Sequence, residues 1–321
     1  MSELPDKEEY MDKIDHVTYI LKSIDKNREL DDAGLPGGIV TLYKDIPTII
    51  VPDLHGRVEF IHKLLNWKID NVEIIELLSQ KKIQVVCVGD GFHSEGRGKN
   101  RWLSAEKEYA SNFKTHSHID DEMSENLELM ELIMELKIMF PNYFTFLKGN
   151  HENIKNENSY GNHAFGKFTK EGEIVKEWVL KFYGEDFLNK YSEFEYNLPL
   201  MAVGSNFLIS HSEPRSYYTK DEIINFRTNF NVTEGLTWTA NSESTEGSVE
   251  KLLESLVDCN SKIAYYFVGH RPVSGAYNTR ANGKLVQIHN PVNYGVAFIK
   301  ANEEINLESI ILDINGEISN E

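Results

Sequence analysis

Five apolar runs in this chain each lead into a residue able to ligate a metal. Thr48-Ile49-Ile50-Val51 precedes Asp53-Leu54-His55-Gly56, and Ile83-Gln84-Val85-Val86-Cys87-Val88 precedes Gly89-Asp90. Tyr143-Phe144-Thr145-Phe146-Leu147 precedes Lys148-Gly149-Asn150-His151-Glu152. Asn206-Phe207-Leu208-Ile209-Ser210 precedes His211, and Ala264-Tyr265-Tyr266-Phe267-Val268 precedes Gly269-His270. Short apolar runs bounded by turn residues read as strands buried on both faces. Ligands at the carboxyl ends of such strands converge on one sheet edge, where α/β proteins bind their ligands. The pattern restricts the chain to an α/β architecture with its chemistry at strand carboxyl ends.

The candidate metal ligands are Asp53, His55, Asp90, Asn150, His211 and His270. Two carboxylates, three imidazoles and one amide suit two divalent ions that share a bridging carboxylate. A lone Asp-x-His or a lone histidine after a strand is ordinarily structural; five such coincidences in order are not. Asp90, with two oxygens, is the candidate bridge. His151 is adjacent to Asn150 but faces another way, which leaves it free to act on a substrate.

One site drawn from residues 53 to 270 argues for a single domain over 1–321, with an N-terminal helical extension at 1–35 and a motif core at about 45–300. No Pro/Ser/Gly-rich linker interrupts it. The net charge of −18 argues against a nucleic-acid partner, which would need basic patches. No apolar run approaches the ~18 residues of a membrane span, and the acidic start Met1–Glu9 lacks the apolar stretch of a secretory leader. The two cysteines, Cys87 and Cys259, read as reduced thiols. A cytoplasmic location is expected.

Tyr10, Met11, Ile14, Val17, Ile20 and Leu21 fall at helical spacing and predict an acidic, partly amphipathic helix over residues 1–30. Leu35-Pro36-Gly37-Gly38 is a turn, and Ile39–Tyr43 and Thr48–Val51 read as strands around a Lys44-Asp45 turn. Helices are predicted at Val58–Trp67, Val72–Leu78 and Asp120–Phe140, and again around Ile174–Phe182. Residues 91–118 and 153–169 are polar and read as irregular. The last third reads as strands near 207–210, 264–268, 285–288, 295–299 and 310–312.

With these motifs in order, the chain resembles the calcineurin-like metallophosphoesterases. That family carries Asp-x-His, Gly-Asp, Gly-Asn-His-Asp/Glu, His and Gly-His in this sequence. The glutamate of Gly149-Asn150-His151-Glu152 and the Asp-x-His-Gly form resemble the phosphoprotein (Ser/Thr) phosphatase branch. Gly269-His270-Arg271-Pro272 and Leu236-Thr237-Trp238-Thr239 resemble two further segments of those phosphatases.

The resemblance implies a two-sheet β-sandwich flanked by helices. Asp53, His55 and Asp90 would hold one ion, and Asp90, Asn150, His211 and His270 the other. Manganese is the foremost candidate, with iron, zinc, cobalt or nickel also suited. A metal-bound hydroxide would attack phosphorus, and His151 would be the general acid. The substrate implied is a phosphomonoester on a small molecule or a phosphoprotein. The alternatives are a nucleotide phosphodiesterase or dinucleoside polyphosphate hydrolase, a non-catalytic metal-binding scaffold and, more weakly, a nuclease.

The chain departs from the family at its second motif, where Gly-Asp-x-x-Asp-Arg-Gly is expected. The aspartate that orients the catalytic histidine falls at His93, and the phosphate-clamping arginine at Ser94. A second clamping arginine is absent from 239–248. Arg97, Arg215 and Arg271 are candidate replacements in that order. Glu95 is the candidate for orienting His151, with His93 and Glu152 as further supporting residues. His289 reads as supporting or structural, and His116 and His118 as surface residues.

Overall fold

The apolar runs pair into two sheets that lie face to face. The structure is a computed structural model that describes residues 4–315. Along the chain the strands are β1 (Ile39–Thr41), β2 (Thr48–Val51), β3 (Lys68–Ile69), β4 (Val72–Glu73), β5 (Gln84–Cys87), β6 (Phe144–Phe146), β7 (Met201–Val203), β8 (Phe207–Ser210), β9 (Tyr265–Val268), β10 (Asn278–Arg280), β11 (Leu285–Gln287), β12 (Gly295–Ile299) and β13 (Ile311–Asp313). The helices are α1 (Lys7–Lys22), α2 (Val58–Asn66), α3 (Ile74–Ser79), α4 (Lys99–Ala110), α5 (Ser117–Met139), α6 (Glu171–Phe182), α7 (Gly184–Tyr196), α8 (Lys220–Ile224), α9 (Phe230–Thr237), α10 (Ser248–Leu256) and α11 (Leu307–Ile310).

One sheet has the order β13-β12-β2-β5-β6 and the other β1-β7-β8-β9-β11-β10. Within the first, β2, β5 and β6 run parallel. Within the second, β8, β9 and β11 run parallel. All five ligand-bearing strands belong to these two parallel groups.

Side-chain alternation builds three layers of core. Ile50, Val86 and Val88 from one sheet meet Phe207, Ile209 and Phe267 from the other in a shared cluster. The alternate residues Ile49, Val51, Val85, Cys87, Phe144 and Phe146 pack outward with α1, α2 and α4–α7. Leu208, Tyr266, Val268 and Leu285 pack outward with α8, α9 and α10. Strands buried on both faces explain why the runs are continuously apolar rather than alternating. The expected helix-flanked sandwich is the architecture found.

Helix α5 carries the largest share of the outer core. Met123, Leu127, Met130 and Met134 are fully buried along it. The Glu108 carboxylate, at the end of α4, accepts from the His118 and Ile119 N–H groups and so satisfies the open first turn of α5. His116 and His118 are partly exposed, pairing with Asp120 and Glu108.

Four expectations need correction. The first helix is confined to Lys7–Lys22, capped by Asp6, which accepts from the Glu8 and Glu9 N–H groups. The expected span's first three residues lie outside the described ones. Its last part is irregular, pinned by the buried Arg28, which donates to the Pro36 and Gly37 carbonyls. Strands β1 and β2 do not pair across Lys44-Asp45; the chain crosses there from one sheet to the other. Residues 91–118 are largely helical: α4 buries Trp102, Ala105 and Glu108 while its remaining residues are mostly polar or charged. Helix α7 was not expected, although Phe187, Leu188, Tyr191 and Phe194 fall at helical spacing and are buried. Residues 153–169 contain no helix or strand, as expected.

Leu127→Ala is expected to destabilise the fold by about 3 kcal/mol through the cavity it leaves at a fully buried helix position. Urea unfolding checks this, with a lowered midpoint at unchanged slope.

Candidate metal centre

Each ligand-bearing turn leaves its strand through a backbone conformation that aims polar atoms inward. His55, Asp90 and His270 all adopt positive φ, at 47°, 55° and 60°. Such left-handed conformations in non-glycine residues persist only where their surroundings enforce them. Here the turns enforce one another. The His55 N–H donates to the Asp90 carbonyl at 2.8 Å, and the Gly269 N–H to the His211 carbonyl at 2.9 Å. Asp53 accepts from the His270 N–H at 2.8 Å, and Asp90 Oδ1 from the His151 N–H at 3.0 Å.

The glycines preceding ligand residues make this approach possible. A Cβ on Gly269 would stand 1.8 Å from Asp53 Oδ1, and one on Gly149 would stand 2.2 Å from Asp90 Oδ1. Glu152 then fastens two turns together: its carboxylate accepts from the N–H groups of Asp90, Gly91 and Gly149 at 2.9, 2.8 and 2.6 Å. Arg57, overlooked in the sequence, donates to the Asp53 and Asn293 carbonyls and fixes the first turn from behind.

The histidine tautomers follow from their partners. His211 Nδ1 lies 3.1 Å from the Val88 carbonyl, which only accepts, so Nδ1 carries the hydrogen and Nε2 is bare. That bare nitrogen lies 2.9 Å from Asn150 Oδ1, 3.2 Å from His270 Nδ1 and 3.4 Å from Asp90 Oδ2. Asn150 Oδ1 is in turn 2.9 Å from His270 Nδ1. Among His211 Nε2, Asn150 Oδ1 and His270 Nδ1, at most one hydrogen, on His270 Nδ1, is available. The remaining contacts set lone pair against lone pair, a repulsion that a cation among them removes.

A second set lies beside the first. His55 Nδ1 faces the Phe92 carbonyl at 3.2 Å, which leaves Nε2 bare. It points between Asp53 Oδ2 at 3.9 Å and Asp90 Oδ2 at 3.7 Å. Asp90 Oδ2 therefore borders both sets. The donor types and spacings fit two divalent ions sharing Asp90. Asp53, His55, Asp90 and Asn150 come from the first sheet; His211 and His270 come from the second. The centre sits on the seam between the sheets.

Burial sets the protonation of this cluster. It depresses His55 and His270 to about 3, and His211 well below the ordinary imidazole range. It raises Asp53 to about 6 and Asp90 well above the ordinary carboxylate range. The imidazoles are neutral lone-pair donors.

Around His151 the structure differs from the expected pattern. The His151 ring stacks on His93 with centroids 5.0 Å apart, and its Nε2 lies 3.8 Å from Asp90 Oδ2. Its buried Nδ1 has no hydrogen-bond partner. Glu95 does not orient it. The Glu95 carboxylate lies against His289 and His55 instead, at 3.2 and 3.7 Å, because positive φ at His93 and Glu95 turns the loop toward that side. His93 Nε2 faces the buried Glu171 at 3.6 Å. Burial pushes Glu171 up, but His93 and the Phe168 N–H outweigh it and hold the carboxyl at about 2. Glu171 carries no motif signal in the sequence.

The candidate arginines also separate. Arg97 donates to Glu125 and to the His55 carbonyl, so it braces the Asp-x-His turn. Arg215 pairs with Glu234 at 2.6 Å, and His163 contacts the same carboxylate. Ser94 donates to Glu122 of α5. Arg271 is different: its buried Nε has no hydrogen-bond partner, and its charge helps depress neighbouring His270 after burial has done most of that.

No protein-family model matches the chain, and no curated protein matches it in sequence. Among solved structures it is similar to a protein serine/threonine phosphatase from Saccharomyces cerevisiae, at 15% identity and a TM-score of 0.57, the match covering 96% of this chain and 89% of that one. It is also similar to the cold-active protein-tyrosine phosphatase of a psychrophilic Shewanella species, at 12% identity and a TM-score of 0.45, over 89% of this chain and 80% of that one. The likeness to the yeast phosphatase shows that the two chains share a fold, the helix-flanked two-sheet sandwich described above.

Affinity for Mn²⁺ is expected to weaken at least about tenfold between pH 7 and pH 5, because a proton on Asp53 competes for the same oxygens. The sign follows from the raised value near 6: acid fills a site that an ordinary aspartate would leave ionised. Isothermal titration calorimetry across that range checks it, and an affinity independent of pH would remove Asp53 from the ligand set.

Proposed function

We propose that this chain is a two-metal phosphoester hydrolase acting on phosphomonoesters. One observation carries the reading. Asp90 Oδ2 lies 3.7 Å from the bare His55 Nε2 and 3.4 Å from the bare His211 Nε2, with His151 Nε2 3.8 Å from the same oxygen. Asp53, His55 and Asp90 would hold one ion, and Asp90, Asn150, His211 and His270 the other, manganese foremost. When bound, the ions would neutralise phosphoryl oxygens and acidify a water between them.

The chain's own groups supply the rest. The Asp90 backbone, clamped by Glu152, fixes the bridging carboxylate before substrate arrives. His151, held by the stack with His93, donates its proton to the leaving oxygen. The Arg271 guanidinium, paired with no carboxylate among the described residues, binds two phosphoryl oxygens through its planar fork. Phosphoserine or phosphothreonine side chains and small phosphomonoesters fit this chemistry.

A second reading, hydrolysis of nucleotide diesters or dinucleoside polyphosphates, is favoured by Ser94. At the position of the family clamp it donates to Glu122 and contributes no charge to the phosphate. The catalytically silent scaffold is disfavoured, since the ligand residues and His151 all converge. No helix among the described residues is long and apolar enough to cross a membrane.

The test is hydrolysis of p-nitrophenyl phosphate against bis-p-nitrophenyl phosphate, with Mn²⁺ and with a chelator. Metal-dependent turnover preferring the monoester is expected; faster diester turnover selects the second reading, and none of either refutes hydrolysis. His151→Ala should retain metal and lower kcat by about 10²–10⁴-fold, the range for general acid catalysis. Arg271→Ala should raise KM for the monoester by about 10–100-fold, the range for one charged hydrogen-bonding partner. An unchanged KM would remove Arg271 from the phosphate site.

A further inference from the structure

His289 lies outside the ligand set expected from the motifs, yet it faces the same cluster. It is fully buried just beyond β11, whose carboxyl end lies beside that of β9. The Ile288 N–H donates to the Val268 carbonyl, and the Val273 N–H to the His289 carbonyl, so its backbone is fixed against the Gly269-His270 turn.

Its two ring nitrogens face different groups. Nε2 lies 3.2 Å from Glu95 Oε2. A carboxylate only accepts, so Nε2 carries the hydrogen and Nδ1 is bare. That Nδ1 is buried without a hydrogen-bond partner and lies 3.7 Å from Asp53 Oδ2. Ligand atoms of Asp53, His55 and His289 all lie within 4.8 Å of one another. An imidazole that gives one N–H to a carboxylate and aims its other nitrogen into a set of oxygen and nitrogen donors has the arrangement of a metal-bound histidine.

We infer that His289 is a further protein ligand of the ion held by Asp53 and His55, and that Glu95 is the positioning residue that fixes its ligating tautomer. The inference rests on the two-ion reading above. It gives the first ion two carboxylates and two imidazoles from the protein. It also accounts for Glu95 lying away from His151. The other Glu95 oxygen pairs with Lys167 at 3.0 Å, which links this positioning residue to the 153–169 loop.

The test measures metal on the full chain. Wild type, His289→Ala and Glu95→Gln are loaded with Mn²⁺, freed of excess metal by gel filtration and assayed by elemental analysis, with affinities from calorimetry. Wild type is expected to retain two ions. His289→Ala should retain one, and Glu95→Gln, which exchanges the carboxylate for a weaker neutral acceptor, should weaken one of the two sites about 10–100-fold, the usual effect of altering a ligand's hydrogen-bond partner. Two ions at wild-type affinity in both variants would overturn the assignment. Fewer than two ions in wild type would instead overturn the two-ion reading, and this assignment with it. Glu95→Gln, which keeps both ligand nitrogens, provides a decision even where His289→Ala does not fold.

Discussion

Asp53 and Asp90 are buried carboxylates whose hydrogen bonds come from the backbone N–H groups of His270 and His151. Every other feature of the centre follows from that burial. A carboxylate out of water needs donors or cations, and here the donors are the turns that carry the other ligands. Those turns reach the carboxylates only because Gly149 and Gly269 lack side chains and because His55, Asp90 and His270 accept positive φ. Glu152, itself buried, stabilises the arrangement by holding three N–H groups at once. Positive φ at His55, Asp90 and His270 and the two buried carboxyl groups thus meet at one seam.

The ligand turns were legible in the sequence because each combines a doubly buried strand with a glycine or a short polar turn. The sandwich was legible for the same reason: Ile49 and Ile50, or Val85 and Val86, point to opposite cores, so the runs had to be apolar throughout. Helix α4 was hidden because only Trp102, Ala105 and Glu108 face inward among many charged residues. Helix α7 was readable and was overlooked.

Side-chain allegiance was the least legible property. Whether Arg97 serves a phosphate or a carboxylate depends on Glu125, on a helix that periodicity predicts but cannot orient around this loop. Glu95 belongs to His289 rather than His151 because of two successive departures into positive φ, which its local sequence does not announce. Glu171 became visible only once the loop before α6 had folded over His93. These assignments depend on contacts between residues far apart in the chain, and a single sequence carries little information about them.

The contact between the His270 N–H and the Asp53 carboxylate joins residues 217 positions apart. Closing so long a loop has an entropic cost, and such pairs form late in folding. A chain released only as far as Glu152 carries Asp53, His55, Asp90 and Asn150 without His211 and His270, which follow β8 and β9. On the two-ion reading, metal acquisition would then wait for those later strands. Fragments truncated before β7 would present oxygen-rich half-sites with little selectivity among cations, and full occupancy would report that both parallel groups of strands have been made and have closed on one another.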